Sequence, residues 1–399
     1  MRWASMLSCG QCNKMNCPVC CSAHPKDLIN LRQIPVLCNV LWPTAEAAQT
    51  APRGDMQLMF CRSCGHVFNA AFEPALMAYS PEYENSLHHS PRFQHYAEEL
   101  ARDLVERHNL RDKDIIDIGC GKGEFLSLLC EMGGNRGLGF DPSYVPGPTV
   151  SPRIEVVLDY YSEQYANRQA DFVMCRHVLE HIAEPIEFVK RVRRSIGNRM
   201  ETVVFFEVPN ALYTLRDMGI WDLIYEHVSY FSASSLARLF VNCGFDVHRV
   251  QETYGGQFLT IEARPTTTPQ GILHTEAKDL TAMAADAEAF AQRYTEKVAE
   301  WTAKLENLYT QQQRVVVWGA GSKGVTFLNV IRPACVEYAV DLNPRKHGMF
   351  VAGTGQRILP PDSVQGYNPQ VVLVMNPLYE AEIRATLESF GLRPQLWCV

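Results

Sequence analysis

The 399-residue sequence has no apolar run long enough to cross a bilayer, which argues against a membrane partner. It has no excess of basic residues either: 37 Lys and Arg against 44 Asp and Glu give a net charge of -7. A protein built to hold a phosphate backbone needs a positive surface, so nucleic acid is not an expected partner. The first eight residues, Met1 to Ser8, lack the apolar core of a secretory signal, and a cytoplasmic location is expected. Internal repeats and low-complexity tracts are also missing, which excludes solenoids and fibrous folds. Charged residues make up 20% and hydrophobic ones 47%, a globular composition.

Cysteine, by contrast, is plentiful at 14 residues and unevenly placed. Eight crowd the beginning: Cys9, Cys12, Cys17, Cys20, Cys21, Cys38, Cys61 and Cys64. A reducing compartment disfavours a disulfide framework, so paired CxxC spacings read as metal ligands. Cys17 with Cys20 and Cys61 with Cys64 can each wrap a knuckle of backbone around one ion, giving a closed four-thiolate zinc site of structural type. Cys9 and Cys12 form a rival first pair, less favoured because Met15 offers an alternative start after it. Between the pairs the sequence shows little regular periodicity, so the metal is expected to hold this segment together.

The chain divides into four stretches: a zinc-binding module at 1–75, an α/β domain at 76–270, a helical connector at 271–313, and a short Rossmann-like α/β domain at 314–399. From Pro91 the apolar residues Phe93, Tyr96, Leu100, Leu104 and Val105 lie at helical spacing. Strand and helix patterns then alternate, which implies a parallel sheet. Expected strands are Asp114–Ile118, Gly137–Phe140, Glu155–Leu158, Phe172–Cys175, Val203–Val208, Asp246–Gln251 and Gln257–Ala263. Pro265 to Pro269 resembles a linker, and Leu273–Gln313, free of Gly and Pro, reads as one or two long helices. Further strands are expected at Arg314–Trp318, Val336–Val340, Val371–Met375 and Gln395–Trp397.

The loop Asp117-Ile118-Gly119-Cys120-Gly121-Lys122-Gly123 joins a strand to a helix. Glycines there let the backbone turn sharply and approach a ligand at the carboxyl end of a sheet. Asp141 ends the next strand, where a carboxylate can accept both hydroxyls of a ribose, and Asp159 follows the third, where it reads either as a contact to an adenine amino group or as a solvated loop carboxylate. This pattern resembles class I methyltransferases over Asp114 to Ala263 and implies S-adenosylmethionine as cofactor. His177 and His181 follow the fourth strand near the same cleft, and their spacing puts both on one face if that segment is helical. A metal there would need further ligands; packing and cofactor-edge contacts are the simpler expectation for His177.

Tyr225-Glu226-His227 stands in the region that faces the reacting methyl in such a fold. Histidine titrates near neutrality and suits a general base, with Glu226 to orient the ring; a histidine satisfied in a packing network would look the same. Tyr83 lies in a polar, aromatic segment that reads either as a cover over the site or as a linker. Near the end, Gly319-Ala320-Gly321-Ser322-Lys323-Gly324 with Asp341 imitates a dinucleotide fingerprint, but 314–399 has room for about half of such a fold. Its helix start, with Lys323, Arg345 and Lys346, can instead hold an anionic group such as a diphosphate, and a vestigial packing domain without a ligand is the other reading.

Taken in order, the CxxC pairs, the Tyr83 segment, the glycine loop, Tyr225-Glu226-His227, Gly255-Gly256-Gln257-Phe258 and the Gly319–Asn329 stretch resemble the zinc-containing C-methyltransferases of nucleotide-linked keto-sugars. The resemblance implies that His227 is the base that removes a proton beside a ketone. It also implies that Tyr83, Tyr225 and Glu226 bind substrate or support that base, and that the substrate is a small molecule, a nucleotide-sugar. The sequence departs from the family at two places: the family's Tyr-His-Glu-His run is one histidine shorter here, and its Gly-Gly-Ser is Gly255-Gly256-Gln257. O- or N-methylation of a natural product on the same scaffold is the alternative activity, and a NAD-binding or non-catalytic protein a further one.

Overall fold

The run Asp114–Ile118 is apolar enough to be buried on both faces, and it forms the middle one of five parallel strands in a seven-stranded sheet. On one side it pairs in parallel with Arg136–Phe140, which pairs with Ile154–Val157. On the other side it pairs in parallel with Phe172–Arg176, which pairs with Val203–Pro209. Two antiparallel strands, Phe258–Pro265 and Phe245–Thr253, complete that edge. The five parallel strands therefore end along one rim. The computed structural model describes residues 15–77, 83–84, 86, 88–145, 151–268 and 276–399.

Helices cover both faces of this sheet, as parallel connections require. Pro91–Arg107 begins with Pro at its first turn and with the Ser90 hydroxyl accepting the Phe93 N–H at 3.3 Å. It buries Phe93, Leu100, Leu104 and Val105 of the expected stripe, with Ala97 and Ala101 beside them, while Tyr96 is half-buried. Glu124–Gly133 starts directly after Gly123, so its N-terminus faces the glycine loop.

The N-terminal segment is more regular than its sequence suggests. Lys26–Pro35, Arg53–Phe60 and Val67–Asn69 form an antiparallel sheet, completed by Ser229–Tyr230 from far along the chain. Leu28, Met56, Leu58, Phe60 and Val67 are buried, in a core that the segment shares with later parts of the chain. The connector is a single helix, Glu276–Thr310. Its buried Met283, Phe290, Trp301 and Leu305 join the same core as the N-terminal sheet and the last sheet.

That last sheet is wholly parallel, in the order Arg357–Leu359, Val336–Val340, Val315–Trp318, Val371–Val374, Gln395–Cys398. Four of its strands fall where expected; the three-residue Arg357–Leu359 was too short to read from pattern. Among the described residues no helix is long and apolar enough to cross a membrane. The Cys9-Cys12 pair lies outside the described residues.

Candidate active site

A cavity of about 520 Å3 opens where the parallel strands of the two larger sheets end facing one another. The loop after Asp114–Ile118 forms one wall. Gly119, Gly121 and Gly123 all have positive φ, at 77°, 54° and 76°. A Cβ on Gly119 would stand 2.2 Å from Val178, whereas one on Gly121 would meet nothing within 4 Å. The second fact matters for binding, because the backbone at Gly121 leaves its outer face free for a ligand to lie on. Cys120 is buried at the wall beside them, and Asp117 is buried beneath the loop, where desolvation pushes its carboxyl up to about 7.

Asp141 accepts the Gly121 N–H at 2.9 Å, and its other oxygen accepts the Ser143 N–H and hydroxyl at 2.8 and 2.6 Å. It thus braces the glycine loop while standing on the cavity wall. Asp159 stands apart. Its carboxylate accepts from the Tyr160 N–H (2.8 Å), the Gln164 amide (2.6 Å) and the Tyr165 hydroxyl (2.8 Å), a local turn network. The wall at that point is Tyr160 and Val145.

His177 is not on a helix: its φ is 55°, and Leu179–His181 is a single 3-10 turn. The shared helical face expected for His177 and His181 therefore does not form. Burial disfavours the charged His177 ring, but the carboxylates of Glu180 and Glu207 outweigh this and raise it to about 9. Glu207 is the counterpart. Burial alone would raise it, yet Arg176 and His177 hold it down at about 2. Arg176 Nε donates to Glu207 Oε2 at 2.7 Å, and Tyr96 donates to the other oxygen. Neither Arg176 nor Glu207 was picked from the sequence. A lone carboxylate inside the apolar run Val203–Pro209 was the available signal.

His227 lines the cavity with its ring 5.1 Å from that of His181. Its Nδ1 is buried and has no hydrogen-bond partner. Burial, then the charges of His181, His177 and Lys323, push its pKa well below the usual histidine value, so the ring is neutral near pH 7. Glu226 does not orient this ring. Its oxygens accept the Cys38 N–H at 2.7 Å and the Tyr83 hydroxyl at 2.5 Å, and burial raises its pKa. Tyr83 itself reaches the cavity wall. Tyr225 does not: it is fully buried, its hydroxyl accepts the Glu73 N–H at 2.8 Å, and its ring packs on Phe72. His181 Nδ1 lies 2.9 Å from the Glu226 carbonyl oxygen. The ligand-capable atoms of Glu180, His181 and His227 lie within 4.8 Å of one another, so the further ligands that a metal at His181 would need do stand nearby.

The opposite wall repeats the first. Ala320 N–H donates to Asp341 Oδ2 at 2.9 Å, the same loop-to-aspartate brace as Gly121 to Asp141. The cations expected there to meet an anion are already engaged. Lys323 bonds both oxygens of Asp222 (2.6 and 2.7 Å), Lys346 the Ala320 carbonyl (3.1 Å) and Arg345 the carboxylate of Glu84 (2.5 Å). Gln257 and Asn376 exchange reciprocal amide bonds of 2.9 and 3.0 Å across the two halves.

Away from the cavity, Cys17, Cys20, Cys61 and Cys64 converge. Sulfur separations are 3.6 Å for Cys17–Cys64 and 3.5 Å for Cys20–Cys61, and all four lie within 4.8 Å. The set has the donor chemistry of a closed metal site.

The chain matches the methyltransferase domain model over residues 93–250 and the C-methyltransferase C-terminal domain model over residues 252–394. It belongs to the class I S-adenosylmethionine-dependent methyltransferases. The C-methyltransferase NovU of Streptomyces niveus is 25% identical to the methyltransferase over 392 residues, covering 92% of this chain and 90% of that one. A tRNA U34 carboxymethyltransferase of Aliarcobacter butzleri is 28% identical over 104 residues, 24% of this chain and 34% of that one. Among solved structures, human N-acetylserotonin methyltransferase is similar at 15% identity and a TM-score of 0.35, over 44% of this methyltransferase and 55% of that chain.

Proposed function

We propose that the enzyme methylates carbon beside the ketone of a nucleotide-linked sugar, with His227 as the general base. The observation that carries this reading is the buried, unpaired Nδ1 of a neutral imidazole on the wall that both glycine loops share. A neutral ring with a free nitrogen can take a proton; a ring already bonded to a carboxylate would be committed elsewhere. A full-length likeness to a protein named as a C-methyltransferase supports the same class of reaction.

The cofactor, when bound, supplies an electrophilic methyl on sulfonium, so the protein must position the acceptor, remove a proton and exclude water. Asp141 and the open face of Gly121 would hold the adenosyl part, and Asp117 and Cys120 shape the floor beneath it. His227 takes the proton from the carbon next to the ketone, and the C–H electrons become the enolate. A bound cofactor would supply the methyl to that enolate carbon, its C–S bond electrons returning to sulfur. The imidazolium afterwards releases its proton to solvent. Tyr83, anchored by Glu226, borders the acceptor and positions it. The Ser322–Ile331 helix start faces the same space and suits the substrate's phosphate groups.

The four-sulfur cluster is read as a structural zinc site. Its separations of 3.5 and 3.6 Å approach the edge of about 3.8 Å that four Zn–S bonds would give.

The test is product analysis with methyl-13C-labelled cofactor and a nucleotide-linked keto-sugar. A methyl carbon bonded to carbon is expected. A methyl on oxygen or nitrogen would replace this reading with the alternative chemistry on the same scaffold.

A further inference from the structure

The cofactor site described so far grips only one end of the molecule. Asp141 ends the strand on one flank of Asp114–Ile118, and Arg176 ends the strand on the other. Ile118 is in register with Cys175, so Arg176 stands at the level of Gly119, the first glycine of the loop. A ligand laid across the loop with its ribose toward Asp141 must direct its other end toward Arg176.

The arginine is built for an anion there. Its side chain is nine-tenths buried, Nε is committed to Glu207 at 2.7 Å, and the guanidinium lies 3.9 Å over the ring of Phe125, in the helix that follows the loop. These contacts fix the plane of the group. They leave Nη2 buried without a hydrogen-bond partner, on a side chain that lines the cavity. A buried N–H of a cation is costly to leave unpaired, and a carboxylate is the acceptor whose geometry matches it. The other cations at this wall have partners: Lys122 and Arg345 on Glu84, Lys323 on Asp222, and Lys346 on the Ala320 carbonyl.

We infer that Arg176 Nη2 binds the α-carboxylate at the methionyl end of S-adenosylmethionine, with Glu207 and Phe125 as the residues that aim it. The inference rests on the reading of the glycine loop as the cofactor site. It assigns Arg176 a binding role and Glu207 a positioning one.

The experiment compares two ligands by calorimetry on the full chain: S-adenosylhomocysteine, which has the carboxylate, and 5′-methylthioadenosine, which has the same nucleoside but no amino-acid end. Arg176→Met should weaken the first by about 10- to 100-fold, the range for a charge-assisted bond, and leave the second unchanged. Equal losses for both ligands, or no loss for either, would overturn the assignment. If Arg176→Met does not fold, Arg176→Lys decides: it keeps the charge beside Glu207 without the fork, and it should weaken only the carboxylate-bearing ligand. If the unmodified protein binds neither ligand, the cofactor reading itself fails, separately from the role of Arg176.

Discussion

Glu207→Gln removes a charge while keeping the shape of a side chain that has no exposed surface. The carboxylate is held at about 2 against an ordinary 4.5 by Arg176 and His177, which outweigh the cost of its burial. At about 1.4 kcal/mol per pH unit, that difference corresponds to about 3 kcal/mol of stability, the range found when one partner of a buried ion pair is lost. The raised pKa of His177, about 9 against 6.5, owes part to Glu180 and shares its Glu207 contact with this shift, so the two are not added. The signs give a window. A carboxylate with a lowered pKa stabilises fully above 4.5 and loses that contribution as the pH falls toward 2. A histidine with a raised pKa stabilises fully below 6.5 and loses that contribution as the pH rises toward 9. The gap between parent and variant should therefore be widest between pH 4.5 and 6.5 and narrow on both sides. Urea unfolding at a series of pH values measures it. A gap that does not vary with pH, or one below about 1 kcal/mol within the window, as for an exposed pair, would refute the electrostatic account of this cluster.

Two further outcomes are expected. Asp141→Ala should weaken S-adenosylhomocysteine by at least about tenfold in calorimetry, because the change removes both a ribose acceptor and the brace on the Gly121 N–H. Cys61→Ser should lower the zinc content measured by elemental analysis and expose the N-terminal sheet to protease; a stable, protease-resistant variant with full zinc would remove Cys61 from the ligand set.

Most parallel strands were legible because they are short apolar runs, several of them ended by glycine or aspartate, as at Ile118-Gly119 and Phe140-Asp141. The N-terminal sheet was not. Register shifts at Asp27/Ile29 and Leu31/Ile34 break the alternation of its first strand, and its last strand is two residues from a distant segment. The glycine loop, Asp141, Tyr83 and His227, singled out by motif and by family resemblance, line one cavity. Asp159 and Tyr225 lie off that cavity, the first held in its own turn by Tyr165 and the second by the distant Glu73 N–H. Glu226 turns toward Tyr83 and Cys38 rather than His227. Side-chain pairing of this kind depends on strands and loops far apart in sequence, such as Arg176 with Glu207, and no local period reports it. The positive φ of His177 is equally invisible to a helical reading of its spacing.

The central claim concerns proton removal by His227, and solvent exchange tests it without requiring turnover. With S-adenosylhomocysteine bound, in D2O, the enzyme should place one deuterium on the carbon beside the ketone of a nucleotide-linked sugar, and His227→Gln should place none while still binding that ligand. No exchange by the unmodified enzyme, or equal exchange by the variant, would contradict the account.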